Sequence, residues 1–270
     1  MSEELINKVL AEVVKKMGGD DPAPSTAPAP APAPAPAAGA LPAVTEFVGT
    51  NVLGDTIGMV IANVDPKLRA MMKLEKDFRS IGILGARTGA GPHIFAADEA
   101  VKATNSEILT IELPRDTKGG AGHGSLIIFG AEDVSDARRA VEVALGELDR
   151  TFGDVYGNDA GHLEFQYTAR ASYALNKAFG APIGKAFGIT VGAPAGIGVV
   201  LADTAVKAAT VDVIGYASPA GGTSYSNEVI SFLSGDSGAV RQAIIAAREV
   251  GIPLLGALGA TPESTTTPYI

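Results

Sequence analysis

Ala97-Asp98-Glu99-Ala100-Val101-Lys102-Ala103 returns almost unchanged as Ala202-Asp203-Thr204-Ala205-Val206-Lys207-Ala208, an offset of 105 residues. At that spacing Pro114 falls on Pro219, Gly130 on Gly235, and Ile108-Leu109 on Val213-Ile214. Upstream the register slips by two, pairing Gly85-Ala86 with Gly192-Ala193, and downstream it slips by two the other way, pairing Arg138-Arg139-Ala140 with Arg241-Gln242-Ala243. Slips of that size are differences in loop length. The repeat is far longer than the ~20 to 50 residues of a solenoid unit, so it describes a whole domain. The chain reads as two homologous domains in tandem, 44–156 and 157–260, with a tail at 261–270.

Composition narrows the function. A chain of 270 residues with 46% hydrophobic content can fill two ordinary cores. It has no cysteine, which removes disulfides and thiolate metal sites and makes the cytosol the natural compartment. The net charge of −9 opposes binding to a nucleic-acid backbone, so DNA and RNA are not expected partners. No apolar run approaches the ~20 residues of a membrane span, and the first residues carry acids where a signal peptide needs bases. Neither membrane insertion nor secretion is expected. Thirty-three glycines and no tryptophan suggest closely packed backbones rather than a stacking platform.

Along the chain, Leu5, Ile6, Val9, Leu10, Val13, Val14 and Met17 recur at helical spacing among charged residues, which predicts an amphipathic helix within residues 1–19. Residues 20–43 are dominated by alternating Ala and Pro, an extended linker that could reach on the order of 65 Å at ~3.1 Å per residue. The first domain is read as a strand at 57–63, a helix at 67–74 after Asp65-Pro66, a strand at 81–85, a helix at 96–103, strands at 107–113 and 125–130, and a helix at 135–148. The second repeats the order with a strand at 163–168, helix 172–179, strand 187–191, helix 201–209, strands 211–217 and 228–233, and helix 238–249. Each copy is thus β-α-β-α-β-β-α, an α/β unit with a mixed sheet. The closing residues 261–270 are polar and aperiodic, which places them on the surface.

Both copies carry G-x-x-x-G-x-G between a strand and a helix, at Gly85, Gly89, Gly91 and at Gly192, Gly196, Gly198. Such a turn can bring backbone N–H groups at a helix N-terminus to a pyrophosphate. Tyr173 and Lys177 also have the Y-x-x-x-K spacing of short-chain dehydrogenases. They precede the second glycine turn, however, where that family places them far after it, and the further β-α units of a dinucleotide domain are missing. Tight turns at a closely packed helix are the favoured reading. His93, His123 and His162 have no metal-ligand spacing, and no serine sits in a nucleophile elbow. Neither catalysis, a cofactor nor a metal is expected.

The A-A-D-x-A-V-K-A motif after a glycine-rich turn, followed by a strand, a glycine loop and a second strand, resembles the bacterial microcompartment shell domain. The tandem copies, each with a strand and helix ahead of the motif, resemble its circularly permuted double-domain members. Thr45-Glu46-Phe47-Val48-Gly49, Met72-Lys73-Leu74-Glu75-Lys76, the run from Gly85 to His93, Pro114-Arg115-Asp116-Thr117-Lys118-Gly119-Gly120, the run from Asp149 to Tyr156, and Tyr269-Ile270 are similar to the propanediol-utilisation branch. Related ethanol-utilisation tiles share much of the pattern.

The resemblance implies a flat homotrimer, a pseudohexamer, that tiles a shell facet beside other shell proteins, with pores for small polar metabolites such as 1,2-propanediol. Lys102 and Lys207 take the place of the family's edge lysine, and Arg170 that of its edge arginine, where the first copy has Asn63. The pore loops correspond to Pro114, Arg115, Asp116, Thr117, Lys118, Gly119, Gly120 and His123, and to Pro219, Ala220, Gly221, Gly222, Thr223, Ser224, Tyr225 and Ser226. The N-terminal helix resembles cargo-targeting peptides, which implies docking of enclosed enzymes through Leu5, Ile6, Val9, Leu10, Val13 and Val14. An unrelated helix-docking scaffold and a dehydrogenase-like enzyme are the competing readings.

Overall fold

The computed structural model describes residues 44–74, 76–115 and 122–270. The N-terminal helix and its linker lie outside the described residues, as does the stretch 116–121. The first sheet holds β1 (Phe47–Asn51), β2 (Thr56–Ile61), β3 (Ser80–Ala86), β4 (Glu107–Glu112) and β5 (Ser125–Ala131) in the order β1-β2-β3-β5-β4. Its helices are α1 (Pro66–Met72), α2 (Ala90–Ala103) and α3 (Val134–Thr151). The second half adds β6 (Val155–Asn158), β7 (Gly161–Thr168), α4 (Tyr173–Phe179), β8 (Ala186–Ala193), α5 (Ala195–Ala208), β9 (Asp212–Ala217), β10 (Val229–Gly235), α6 (Ser237–Gly256) and β11 (Glu263–Ser264). Its sheet runs β11-β6-β7-β8-β10-β9.

Every neighbouring pair of strands is antiparallel, which corrects the mixed sheet expected from the element order. A strand-helix-strand crossover leaves β3 and β4 pointing the same way. The next strand, β5, folds back on β4 and inserts between the two, so the parallel pair never meets. In the second copy β10 separates β8 from β9 in the same manner, running in register from Val229 opposite Gly192 to Gly235 opposite Ala186.

The two long central helices start earlier than periodicity suggests, at Ala90 and Ala195, because glycine lets their first turns press against neighbouring strands. A Cβ on Gly198 would lie 2.6 Å from the Val229 carbonyl oxygen, and one on Gly192 2.4 Å from the Gly198 nitrogen. Gly89 takes a left-handed φ of 83° that glycine adopts without strain, with the Phe152 ring against it. At the other end of the copy, α6 continues through Pro253 where the sequence reading stops at Glu249. Gly251 and fully buried Leu255 pack that last turn inward, and tertiary burial outweighs the proline's missing donor.

The tail lies mostly at the surface and is hydrogen-bonded to the body beneath it. β11 pairs with β6, and the Thr265 N–H donates to Val155 O at 2.9 Å. Asp154, completely buried, accepts the N–H groups of Tyr269 and Ile270 at 2.8 and 3.1 Å and the Arg248 guanidinium at 2.6 Å. Arg248 in turn donates to the Ile270 carbonyl oxygen at 2.8 Å. A polar, aperiodic segment is thereby fixed by a buried charge, a cause that hydrophobic patterning cannot register.

One apolar cluster runs through both repeats: Leu84, Phe95, Phe129 and Leu148 of the first are continuous with Leu175, Phe187, Ile189 and Val191 of the second. At roughly 1.5 to 3 kcal/mol per fully buried large side chain, that shared core fixes the two copies against one another.

Candidate functional site

The surface that the repeat makes with itself is the first functional feature. Where the copies meet, α2 packs against α4. Asp98 on α2, which is buried, accepts the Ser172 N–H at 3.0 Å and the Leu175 N–H at 3.2 Å, so it caps a helix of the other copy. Lys102 lies 2.9 Å from Asp98, 2.9 Å from Glu99 and 3.5 Å from the Thr168 hydroxyl of β7. Burial raises the Asp98 pKa against the pull of Lys102 and of the two backbone donors. Beside this polar knot, Phe95 stacks on Phe187 at 5.9 Å, Phe187 on Phe179 at 5.9 Å, and Phe179 on Phe232 at 5.1 Å.

The same surface recurs on the second copy, uncovered. Ile94, Phe95 and Ile108 are 0%, 2% and 8% exposed, whereas their counterparts Val199, Val200 and Val213 are 49%, 42% and 54% exposed. On the other side of the junction, Leu175 of α4 is wholly buried and its counterpart Leu68 of α1 is 49% exposed, with Met71 beside it at 78%. The chain therefore has one closed junction and two open half-junctions of the same design.

The edge residues separate accordingly. Lys102 is engaged within the chain, while Lys207, 71% exposed, pairs only with Asp203 at 2.7 Å among the described residues. Arg170 is exposed next to Thr168. Of the first pore loop, Pro114 and Arg115 are described and lead up to the gap at 116–121, and the Gly124 N–H closes the loop base on Pro114 O at 3.0 Å. The second loop is a compact knot: Ser218 and Gly221 exchange hydrogen bonds at 2.7 and 2.9 Å, the Tyr225 N–H donates to Pro219 O, and buried Thr223 donates its hydroxyl to Ser226 O. Tyr225 projects from it, 85% exposed.

A cavity of about 510 Å³ opens between the loop bases, bounded by Gly91, Gly122, His123, Glu164, Phe179, Tyr216, Thr223 and Glu228 among others. Glu164 and Glu228 are both buried, and a Cβ on Gly122 would lie 3.7 and 3.3 Å from their oxygens. Glu228 lies 3.5 Å from His123 and 3.4 Å from His162. Burial pushes the Glu164 pKa up to about 7, with Glu228 adding to the rise and His162 opposing it. Burial works against a charged His162, but Glu228 and Glu164 outweigh it, and its pKa is raised. His93 is separate: buried against Phe152, with its ring nitrogens meeting the Thr56 hydroxyl and Gly89 O, it falls to about 4 through burial.

Sequence reasoning missed Glu164, Glu228 and Asp98. The only signal was Asp98, an acid on a helix otherwise buried from Ala90 to Ala97; the alternation of Leu163-Glu164-Phe165-Gln166 reads Glu164 as outward-facing. The docking residues Leu5 to Val14 lie outside the described residues.

The BMC domain family matches this chain twice, over residues 80–158 and 186–260. The chain belongs to the bacterial microcompartment shell proteins. It is 62% identical to the bacterial microcompartment shell protein PduB of Citrobacter freundii across 100% of this chain and 99% of that one. A solved structure of a trimeric microcompartment shell protein PduB aligns with a TM-score of 0.82 at 55% identity, covering 84% of this chain and 100% of the other. EtuB of Clostridium kluyveri aligns with a TM-score of 0.81 at 58% identity, over 85% and 100%. As a member of this family the protein is structural, and its glycine turns are packing devices: the Ala90 N–H, which a phosphate site would need free, donates to His123 O at 2.9 Å.

Proposed function

We propose that three copies of this shell protein close into a flat ring that tiles a microcompartment facet as a pseudohexamer. The uncovered face of α5 and β9 carries the reading, because its counterpart on α2 and β4 is buried inside the same chain. Placing one subunit's Val199, Val206 and Val213 against the α1 of the next reproduces the internal junction. A head-to-tail contact of this kind forms a ring when the rotation closes. Three internal and three external junctions of one geometry give six domains around an axis, and the trimeric relative supports that count.

The polar loops at 114–124 and 218–226 and the cavity between their bases would then serve passages for small polar metabolites such as 1,2-propanediol. Permeation needs weak, exchangeable hydrogen bonds rather than tight binding. Lys207 and Arg170, exposed, and Lys102, more enclosed, would meet neighbouring tiles at the facet edge. The N-terminal helix would fasten enclosed enzymes through Leu5, Ile6, Val9, Leu10, Val13 and Val14, with avidity from three arms per tile.

The test is oligomeric state. Leu68→Asp and Met71→Asp change exposed side chains, so each subunit should fold as before while the trimer falls apart in sedimentation. Variant trimers as stable as the parent would remove the proposed junction.

A further inference from the structure

Granting the passages just proposed, we infer that Glu164, with Glu228 and His162 beside it, is a charge filter that turns anions away, lets neutral polar molecules through, and relaxes when acid protonates it. The cluster stands between two cavities. Glu164, Glu228 and His123 line the first, of about 510 Å³. His162, 3.4 Å from Glu228, lines a second of about 610 Å³, bounded by Gly54, Phe152 and the turn between β6 and β7. A molecule crossing from one cavity to the other passes these side chains.

A neutral guest can bond there. The atoms Glu228 Oε1 and His162 Nε2 are buried and have no hydrogen-bond partner among the described residues, so a hydroxyl can meet them without displacing a bond already made. An anion meets only opposition. Among the described residues no lysine or arginine lines either cavity, and the one further acid is Asp159 of the β6–β7 turn. From α2, Gly91 brings its backbone so close that a Cβ would lie 2.8 Å from Glu164 Oε2, while His93 of the same helix is turned away to Thr56 and Gly89 O. His123 reaches the cluster through Glu228 at 3.5 Å, and β9 offers the neutral phenol of Tyr216. Burial holds the Glu164 proton to about pH 7, so the filter is charged above that value and discharged below it. Toward pH 6, His162, its pKa raised in spite of burial, adds a positive charge. In so enclosed a site a charge acts on a passing ion far more strongly than in water.

The full chain has no cysteine, so Val191→Cys sets one thiol opposite Glu164 across β7 and β8, on the lining of the first cavity. The trimer is treated with a neutral and with a sulfonate-bearing methanethiosulfonate, and the ratio of the two rates cancels the thiol's own reactivity. At pH 8 the anionic reagent should lag the neutral one on the order of tenfold further than it does toward free mercaptoethanol. Added Glu164→Gln should remove most of that extra lag, and so should pH 6 without the glutamine. A lag no larger than that of the free thiol, or one unchanged by Glu164→Gln, overturns the filter and leaves the passage standing. A thiol that the neutral reagent never reaches removes the passage, and the filter with it.

Discussion

His123, two residues before β5 of the first repeat, and Glu228, next to β10 of the second, face one another at 3.5 Å. Each stands at the base of its own hairpin loop, just before β5 or β10. Glu228 also faces His162 at 3.4 Å, so one buried acid faces two imidazoles, and His162 is the group that opposes the rise of the Glu164 pKa.

Glu164 gives the protein a distinctive pH dependence. The folded chain holds its proton to about pH 7, whereas an unfolded glutamate releases it at 4.5, so between those values the folded state binds more protons. Stability must therefore fall as pH rises through that window, by roughly 3 kcal/mol in total. Urea unfolding at a series of pH values should show Glu164→Gln matching the parent near pH 4.5 and exceeding it by about 2 to 3 kcal/mol at pH 8. A constant difference between the two proteins at all pH values would remove Glu164 as the cause.

Asp98 should matter more to the fold of the chain than any other acid on its helix. Asp98→Ala strands the Ser172 and Leu175 N–H groups in the core and takes from Lys102 its most buried partner. A loss of about 2 to 4 kcal/mol is expected in denaturant titration. A loss below about 1 kcal/mol would mean that the junction is held by its apolar contacts alone.

The duplication, the element order and the family were legible in the sequence because they depend on residues that repeat: Ala97 to Ala103 against Ala202 to Ala208, and glycines at matching turns. Burial was less so. Val200 and Phe95 are both apolar at one position of the repeat, and nothing in the pattern says that one is covered within the chain and the other left open. Asp98 and Asp203 are likewise the same letter in the same motif, one sealed beneath α4 and the other exposed. What anchors the surface tail was hidden for a related reason, since Asp154 and Arg248 fix it by charge across more than ninety residues.

Removal of residues 2–42 should leave the ring and its passages intact, because the described core begins after them and makes its own contacts. Shells built from the truncated chain should no longer sediment with their enzymes, and Leu10→Glu should give a milder form of the same defect. Full cargo retention by truncated shells would rule out the arm as the tether.

In the proposed ring, α5 of one subunit meets α1 of the next. Inside the chain, Val101 and Ile108 line one cleft with Tyr173, Asn176 and Lys177, so the matching cleft between subunits sets Val206 against the partner's Ala70. The chain has no cysteine, and Val206→Cys with Ala70→Cys introduces a single reactive pair. Treated with a short bis-maleimide, the purified double variant should run on a denaturing gel as a ladder ending at a covalent trimer. A protein that stays monomeric on that gel, or that climbs past three without a stop, would contradict the closed ring.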